Sequence, residues 1–405
     1  MKVVILAGGL GTRLQSVVKD MPKPMADIDG RPFLEMLMDY MIFQGATEFV
    51  LCVSYLKEKI INYFGDSFRS VPVFYSIENT LLGTGGAIKQ AFDLYHLDKA
   101  VVVNGDTFVK MDYHAFYERA SEQMLSVALK KIDKAERFGM VIVKNGKIES
   151  FTEKKQGAEN VFINSGVYFV ASSLWSCVAQ KSGVSFSFEK DVLEKIVSQI
   201  RVPAFRIDDY FIDIGVPEAY YQARKELRSV IYGAKALFLD RDGVINVDSG
   251  YVHRIEDCQF ITGIFDICRH AKQKGYKIIV VTNQAGIAKG VYQEDEYMIL
   301  RKYIHDEFIK QGCSIDAEYY CPYHIDGIGK YKKDSYERKP NPGMIFQSMR
   351  DFKVDLKNSI LIGDKSEDIV AAQRAGIGNK IQLLGKYKET PMADSHVKSL
   401  CKIIL

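Results

Sequence analysis

Residues 237–246 read LFLDRDGVIN, an apolar run that stops at two aspartates, Asp240 and Asp242, followed by Gly243. Asp-x-Asp-Gly is good turn chemistry, so a plain loop explains it. A carboxylate at the carboxyl end of a strand is also where α/β folds place reactive groups. In that second reading Asp240 is a nucleophile able to form an aspartyl-phosphate. Asp242 then protonates the leaving oxygen and later activates water. Two such groups beside a phosphate require a metal, a cation for the phosphoryl oxygens and a hydroxyl or amide donor. The chain supplies them in order. Thr282 and Asn283 end the apolar run YKIIVVTN (276–283), Arg338 and Lys339 lie in ERKPNPG, and Asp364 and Asp368 lie in SILIGDKSED.

Outward from this stretch, short β-branched runs alternate with amphipathic helical stretches, the pattern of α/β domains with mainly parallel sheets. Strands are expected at 2–7, 48–55, 71–77, 100–106, 235–240, 276–283, 317–321 and 359–364. FLEMLMDYMIFQG (33–45) has helical spacing and stops at Gly45. MVIVKNGKIESF (140–151) alternates about Asn145-Gly146, a type I′ hairpin signal that marks an insertion or subdomain. VKSLCKIIL at the end of the chain reads as a helix with one apolar face. The 405 residues suit two or three domains, and the restart of the pattern places two, at 1–230 and 234–405.

Composition narrows the partners. A net charge of +3, with acids and bases interspersed, gives no reason to expect nucleic acid or an anionic membrane. No apolar run reaches the length of a bilayer span, and MKVVILAGGLG is too short and glycine-rich for a signal peptide. Seven cysteines without paired spacing favour a reducing cytoplasm. Oligomerisation through either domain stays open.

The chain opens with a second junction, VVILAGGLGTRLQ (3–15), where an apolar run breaks into glycines. A glycine-rich turn between strand and helix presents free N–H groups to an anion. It lacks the lysine of a P-loop and the third glycine of a dinucleotide fingerprint. Arg13 and Lys23 add two cations beside it, which suits a triphosphate. LAGGLGTRL with PKPM, LLGTGGAI (81–88), NGDTF (104–108), FTEK (151–154), NSGVY (164–168) and IDIGVPEAY (212–220) together resemble the sugar-1-phosphate nucleotidyltransferase family. The resemblance implies a Rossmann-like, glycosyltransferase-A-like fold for the first domain. It implies nucleotide contacts at Leu6, Ala7, Gly8, Gly9, Gly11, Thr12, Gly83, Thr84 and Gly85, and Mg²⁺ on Asp106 and Asp213. Arg13 and Lys23 would stabilise the triphosphate, while Glu153, Lys154 and Asn164 would face the sugar phosphate.

DRDGVIN, GYVH (250–253), VVTNQAGIAKG (280–290), YYCPYH (319–324), RKPNPGM (338–344) and IGDKSEDIVAAQRAG (362–376) resemble the haloacid dehalogenase superfamily, and within it the heptose bisphosphatase group. That implies a second Rossmannoid domain with Mg²⁺ on Asp240, the Asp242 carbonyl and Asp364. Thr282 and Lys339 would hold the phosphoryl group, with Asn283 and Arg338 assisting at the substrate. Relatives often carry a zinc held by cysteines and a histidine; here Cys321 and His324 remain, but Ser335 and Glu337 replace the other two, so zinc is not expected.

Together the resemblances imply consecutive steps. The 7-phosphate of D-glycero-α-D-manno-heptose 1,7-bisphosphate is removed. GMP is then transferred from GTP to the heptose 1-phosphate, giving GDP-heptose and pyrophosphate. A second reading keeps both reactions on another phosphorylated sugar with UTP or CTP. A non-catalytic scaffold would require lost carboxylates, and these are present.

Overall fold

The computed structural model describes residues 1–9, 14, 17–18, 20–134, 140–152, 159–179 and 182–405. Gly11, Thr12, Arg13, Glu153 and Lys154 lie outside the described residues. The chain divides into two compact units, Met1–Ile231 and Tyr232–Leu405, both mixed α/β.

The first unit is built on four parallel strands in the order Lys99–Asn104, Lys2–Leu6, Glu48–Val53 and Val71–Ile77. The chain moves outward through the last three, then crosses back to pair Lys99–Asn104 against the other side of Lys2–Leu6. That reversal opens a crevice at the carboxyl ends of Lys2–Leu6 and Lys99–Asn104, the place where open α/β sheets bind ligands. These strands read as near-continuous apolar runs because both faces are covered, and Val3, Val4, Ile5, Val101 and Val102 are all fully buried.

Asn145 and Gly146 both take positive φ (52° and 73°), which a type I′ turn demands, and join Met140–Lys144 to Lys147–Thr152. The hairpin is not a separate subdomain. It extends the main sheet, because the long strand Glu159–Ala171 pairs with Lys99–Asn104 through its last residues and with the hairpin through Phe162 and Ile163. A register shift between Asn164 and Val167 separates the two halves of its pairing with Leu125–Lys134.

In the second unit six strands are wholly parallel, in the order Ala317–Cys321, Tyr276–Asn283, Lys235–Leu239, Ile360–Gly363, Asn379–Leu383 and Ser395–Val397. The direction again reverses, between Lys235–Leu239 and Ile360–Gly363, so the segments after both strands meet at one crevice. The C-terminal stretch corrects the helical expectation. Residues 395–397 form the edge strand and Leu400–Lys402 a single 3-10 turn, with Leu400 buried and Ile403 and Leu405 packed on the core. Val397, Leu400, Ile403 and Leu405 pack inward while Ile404 stays exposed, and of this stretch only Val397 joins the sheet, opposite Leu383. Among the described residues, no helix is long and apolar enough to cross a membrane.

Candidate active sites

In the first unit a cavity of about 450 Å³ opens at the strand reversal, lined by Leu6, Gly8, Gly9, Lys23, Gly83, Thr84 and Asp106 among others. Asp106 follows the strand Lys99–Asn104, and Asp213 ends Phe211–Asp213, which pairs antiparallel with Thr107–Val109. The pairing brings two carboxylates 107 positions apart in sequence to one point. Lys23 lies between them, paired with Asp106 and 3.5 Å from Asp213. Burial and the nearby Asp106 raise the Asp213 pKa, and Lys23 opposes both. Lys23 therefore sits on the carboxylates themselves, closer to them than a triphosphate role alone suggests.

Other expected contacts divide. Ala7 is buried, its N–H donating to the Cys52 carbonyl at 2.9 Å, so it continues the strand. Gly85 is turned away from the cavity: its N–H donates to the Phe186 carbonyl at 3.0 Å, and a Cβ there would run into the Phe186 ring. Its glycine serves close packing, which a loop signature cannot distinguish from ligand approach. The Thr84 hydroxyl donates to Glu189 at 2.7 Å and accepts from the Phe188 N–H at 2.8 Å. Glu189 also accepts from the Ser187 hydroxyl and from Tyr168, whose hydroxyl accepts from Asn164 at 2.7 Å. Glu189 thus ties the Gly83–Thr84 turn to the Asn164 strand, a role its sequence context does not signal. Buried Glu78 lines the same cavity, its pKa raised by burial, and accepts from the Leu82 N–H at 2.9 Å.

In the second unit Asp240, Asp364 and Asp368 come together, with one oxygen of each within 4.8 Å of the others, all buried. Lys339 pairs with two of the three: its ammonium donates to Asp240 at 2.8 Å, to Asp368 at 2.6 Å and to the Val281 carbonyl at 2.8 Å. Asn283 positions that lysine, its amide donating to the Lys339 carbonyl at 2.9 Å and its oxygen accepting the Lys339 N–H at 3.0 Å. Asn283 also lines the cavity, where the substrate contact was expected. Thr282 is buried and its hydroxyl accepts from Gln284 at 2.7 Å. Arg338 lines the cavity, its guanidinium 3.5 Å from the Tyr323 carbonyl.

The Asp242 carboxylate is not part of the triad but lines the same cavity. Arg241, buried, grips it with bonds of 2.8–3.2 Å, and Asn246 adds one at 3.1 Å. Burial disfavours the Arg241 charge, but the Asp242 carboxylate overcomes this and pushes its pKa up. Gly243 has a φ of 95°, and a Cβ there would strike the Asp364 carboxylate, so only glycine lets the two loops close.

Asp368 spends its oxygens on Lys339 and the Lys365 N–H. Asp364 Oδ1, by contrast, is buried with no hydrogen-bond partner among the described residues. A buried, unsatisfied carboxylate oxygen costs free energy unless a cation meets it, so Asp240 and Asp364 fit a divalent ion. Burial, reinforced by neighbouring carboxylates, raises Asp240 to about 6 and Asp364 to about 8. The folded chain then keeps protons that the unfolded chain sheds near pH 4, so stability falls as pH rises through both values. Melting in chelator should show a second unit less stable at pH 8.5 than at pH 6, by on the order of 1–3 kcal/mol. A divalent cation should restore most of the difference. A flat or rising melting temperature would contradict this electrostatic picture.

Where a zinc site would lie, Ser335 is buried and bonds Glu337, and Cys321 is 3.8 Å from the Tyr323 carbonyl. The His324 ring accepts the Asp326 N–H at 3.0 Å. Tyr320 and Tyr331 both donate to Glu294 at 2.7 Å, which fastens the loop to the helix Glu294–Lys310.

A glycine-turn cavity with paired carboxylates in one unit, and a strand-end aspartate triad with a buried lysine in the other, define a nucleotidyl-transfer type and a phosphoryl-hydrolysis type of centre. The chain belongs to the nucleotidyl transferase family, whose pattern matches residues 2–230, and its second unit belongs with the HAD-hydrolase-like proteins, matched over residues 336–399. Over 233 residues it is 42% identical to the D-glycero-alpha-D-manno-heptose 1-phosphate guanylyltransferase of Aneurinibacillus thermoaerophilus, covering 57% of this chain and 100% of that protein. Over 148 residues it is 51% identical to the D-glycero-alpha-D-manno-heptose-1,7-bisphosphate 7-phosphatase of Burkholderia mallei, covering 36% of this chain and 78% of that protein. The corresponding beta-heptose 7-phosphatase of Vibrio cholerae is 49% identical over 148 residues, covering 36% of this chain and 79% of that protein.

Proposed function

We propose that this chain is a bifunctional enzyme of nucleotide-activated heptose synthesis. The second unit removes the 7-phosphate of D-glycero-α-D-manno-heptose 1,7-bisphosphate, and the first transfers GMP from GTP to the resulting 1-phosphate. The observation that carries this reading is that one chain holds both carboxylate centres intact, each in a unit similar to an enzyme of this sugar. Loss of the 7-phosphate from the bisphosphate named for one relative leaves the 1-phosphate named for the other. Relatives of the second unit act on either anomer, and the transferase relative takes the α form, so consecutive action selects α.

In the second unit Asp240 attacks the 7-phosphorus, and the bond to the sugar oxygen breaks as Asp242 delivers a proton to it. Asp242 then takes a proton from water as that water attacks the aspartyl-phosphate, releasing phosphate and restoring Asp240. Lys339, with Thr282 and Arg338, balances the phosphoryl oxygens, and Asn283 holds Lys339 in place. In the first unit the sugar phosphate oxygen attacks the α-phosphorus of GTP in line and pyrophosphate leaves, so positioning and charge carry the rate. Leu6, Ala7, Gly8, Gly9, Gly11, Thr12, Gly83 and Thr84 would frame the nucleotide. Lys23 and Arg13 would balance its phosphates, and Glu153, Lys154 and Asn164 would meet the sugar phosphate. Asp240, the Asp242 carbonyl and Asp364 in one unit, and Asp106 and Asp213 in the other, would hold Mg²⁺, which neutralises phosphate charge when bound.

The nucleotide is tested by offering heptose 1-phosphate with equal GTP, UTP, CTP and ATP. GTP should be consumed at least about tenfold faster than the others, a difference of about 1.4 kcal/mol in transition-state binding. Preferential loss of UTP or CTP would keep the reaction and overturn the base.

A further inference from the structure

The second cavity, about 750 Å³, is far larger than a phosphoryl group requires and matches a whole small-molecule site. Its floor is the aspartate cluster with Lys339. Its far wall is residues 386–392, a segment for which neither signature assigns a role.

That wall is anchored. Gln382, fully buried on the strand Asn379–Leu383, donates to the Asp364 carbonyl at 3.0 Å and to the Lys388 carbonyl at 2.9 Å, and accepts the Thr390 N–H at 2.7 Å. Thr390 is itself buried, and its carbonyl lies 3.1 Å from the His396 ring. On the other side the Tyr387 hydroxyl donates to Asp248 at 2.9 Å, the carboxylate that also pairs with Lys365 at 3.0 Å. The segment is therefore tied through one side chain to the backbone of Asp364 and through another to the cation beside it.

What it presents is charge. Lys386, Lys388 and Glu389 line the cavity and are exposed, a net charge of +1, and neither lysine is ion-paired to a carboxylate among the described residues. Lys339 and Lys365, nearer the floor, are both consumed by carboxylates. Two ammonium groups without an ion-pair partner on an anchored wall, in a cavity that also holds the aspartate cluster, suit a second anion on one substrate.

We propose that Lys386 and Lys388 bind the phosphate that is not hydrolysed, and so set the preference of the second unit for a bisphosphorylated sugar over a monophosphorylated one. This rests on reading that unit as a sugar bisphosphatase. The two lysines are specificity residues, and Gln382 is a positioning residue that holds their segment.

The test compares full-length wild type, K386M/K388M and K386R/K388R on the heptose 1,7-bisphosphate and on heptose 7-phosphate, which lacks the second anion. The ratio of kcat/KM for the two substrates should fall about tenfold in K386M/K388M, mainly through KM, the size expected of charge-assisted contacts at an exposed rim. K386R/K388R should keep most of the ratio. An unchanged ratio, or an equal fall on both substrates, would overturn the proposal, the latter pointing to long-range attraction or misfolding. A wild type that hydrolyses the monophosphate but not the bisphosphate would instead sink the bisphosphatase reading itself.

Discussion

Asp240→Asn should abolish phosphate release, with a fall in kcat of about 10⁴-fold or more, and leave nucleotidyl transfer on supplied heptose 1-phosphate unchanged. The size follows from the role: an amide cannot form the acyl-phosphate, and no second carboxylate stands in its place. Asp364 follows a different strand, Asp368 is spent on Lys339 and Lys365, and the Asp242 side chain is held by Arg241. The substitution keeps the volume of a fully buried side chain, and Lys339 retains Asp368 and the Val281 carbonyl, so the unit should still fold. Release of phosphate from the bisphosphate, followed with and without the heptose 1-phosphate reaction, measures both halves of the claim. Residual turnover within about tenfold of wild type would remove Asp240 from the nucleophile's role.

Asp106→Asn is the mirror experiment and should lower nucleotidyl transfer by about 10²–10⁴-fold with phosphate release intact. Asp106 and Asp213 converge on Lys23, and burial already holds the Asp213 pKa up. Removing one charge leaves Lys23 balanced by a single carboxylate and, on the proposed reading, would take away one of the two carboxylates that hold Mg²⁺. Pyrophosphate production titrated with Mg²⁺ distinguishes the causes. A loss that high Mg²⁺ largely restores indicates weakened cation binding, whereas an unaffected rate would show that the pair is structural.

Much of this architecture was legible because its signals are local. The hairpin at Asn145-Gly146 rests on two residues that tolerate positive φ, and the parallel strands rest on apolar runs that only burial on both faces explains. Asp240 and Asp364 were visible because each follows such a run directly. What escaped depends on contacts between distant segments. Gly85 packs on Phe186, and Asn283, which lines the cavity as expected, also braces Lys339, neither of which a motif announces. Arg241, Glu189 and Gln382 carry no motif, and each matters through partners brought to it by the fold. The terminal apolar residues announced their burial but not their backbone, because a short edge strand and a helix can bury the same few side chains.

The central claim, that one chain carries out two consecutive reactions on one heptose, is met most directly by a ³¹P NMR time course on the full-length protein with Mg²⁺, GTP and the α-heptose 1,7-bisphosphate. The account predicts that the 7-phosphate signal gives way to inorganic phosphate first, and that pyrophosphate and a GDP-sugar diphosphate signal then grow at the expense of heptose 1-phosphate. Absence of phosphate release, or appearance of pyrophosphate while the 7-phosphate remains in place on the nucleotide sugar, would contradict it.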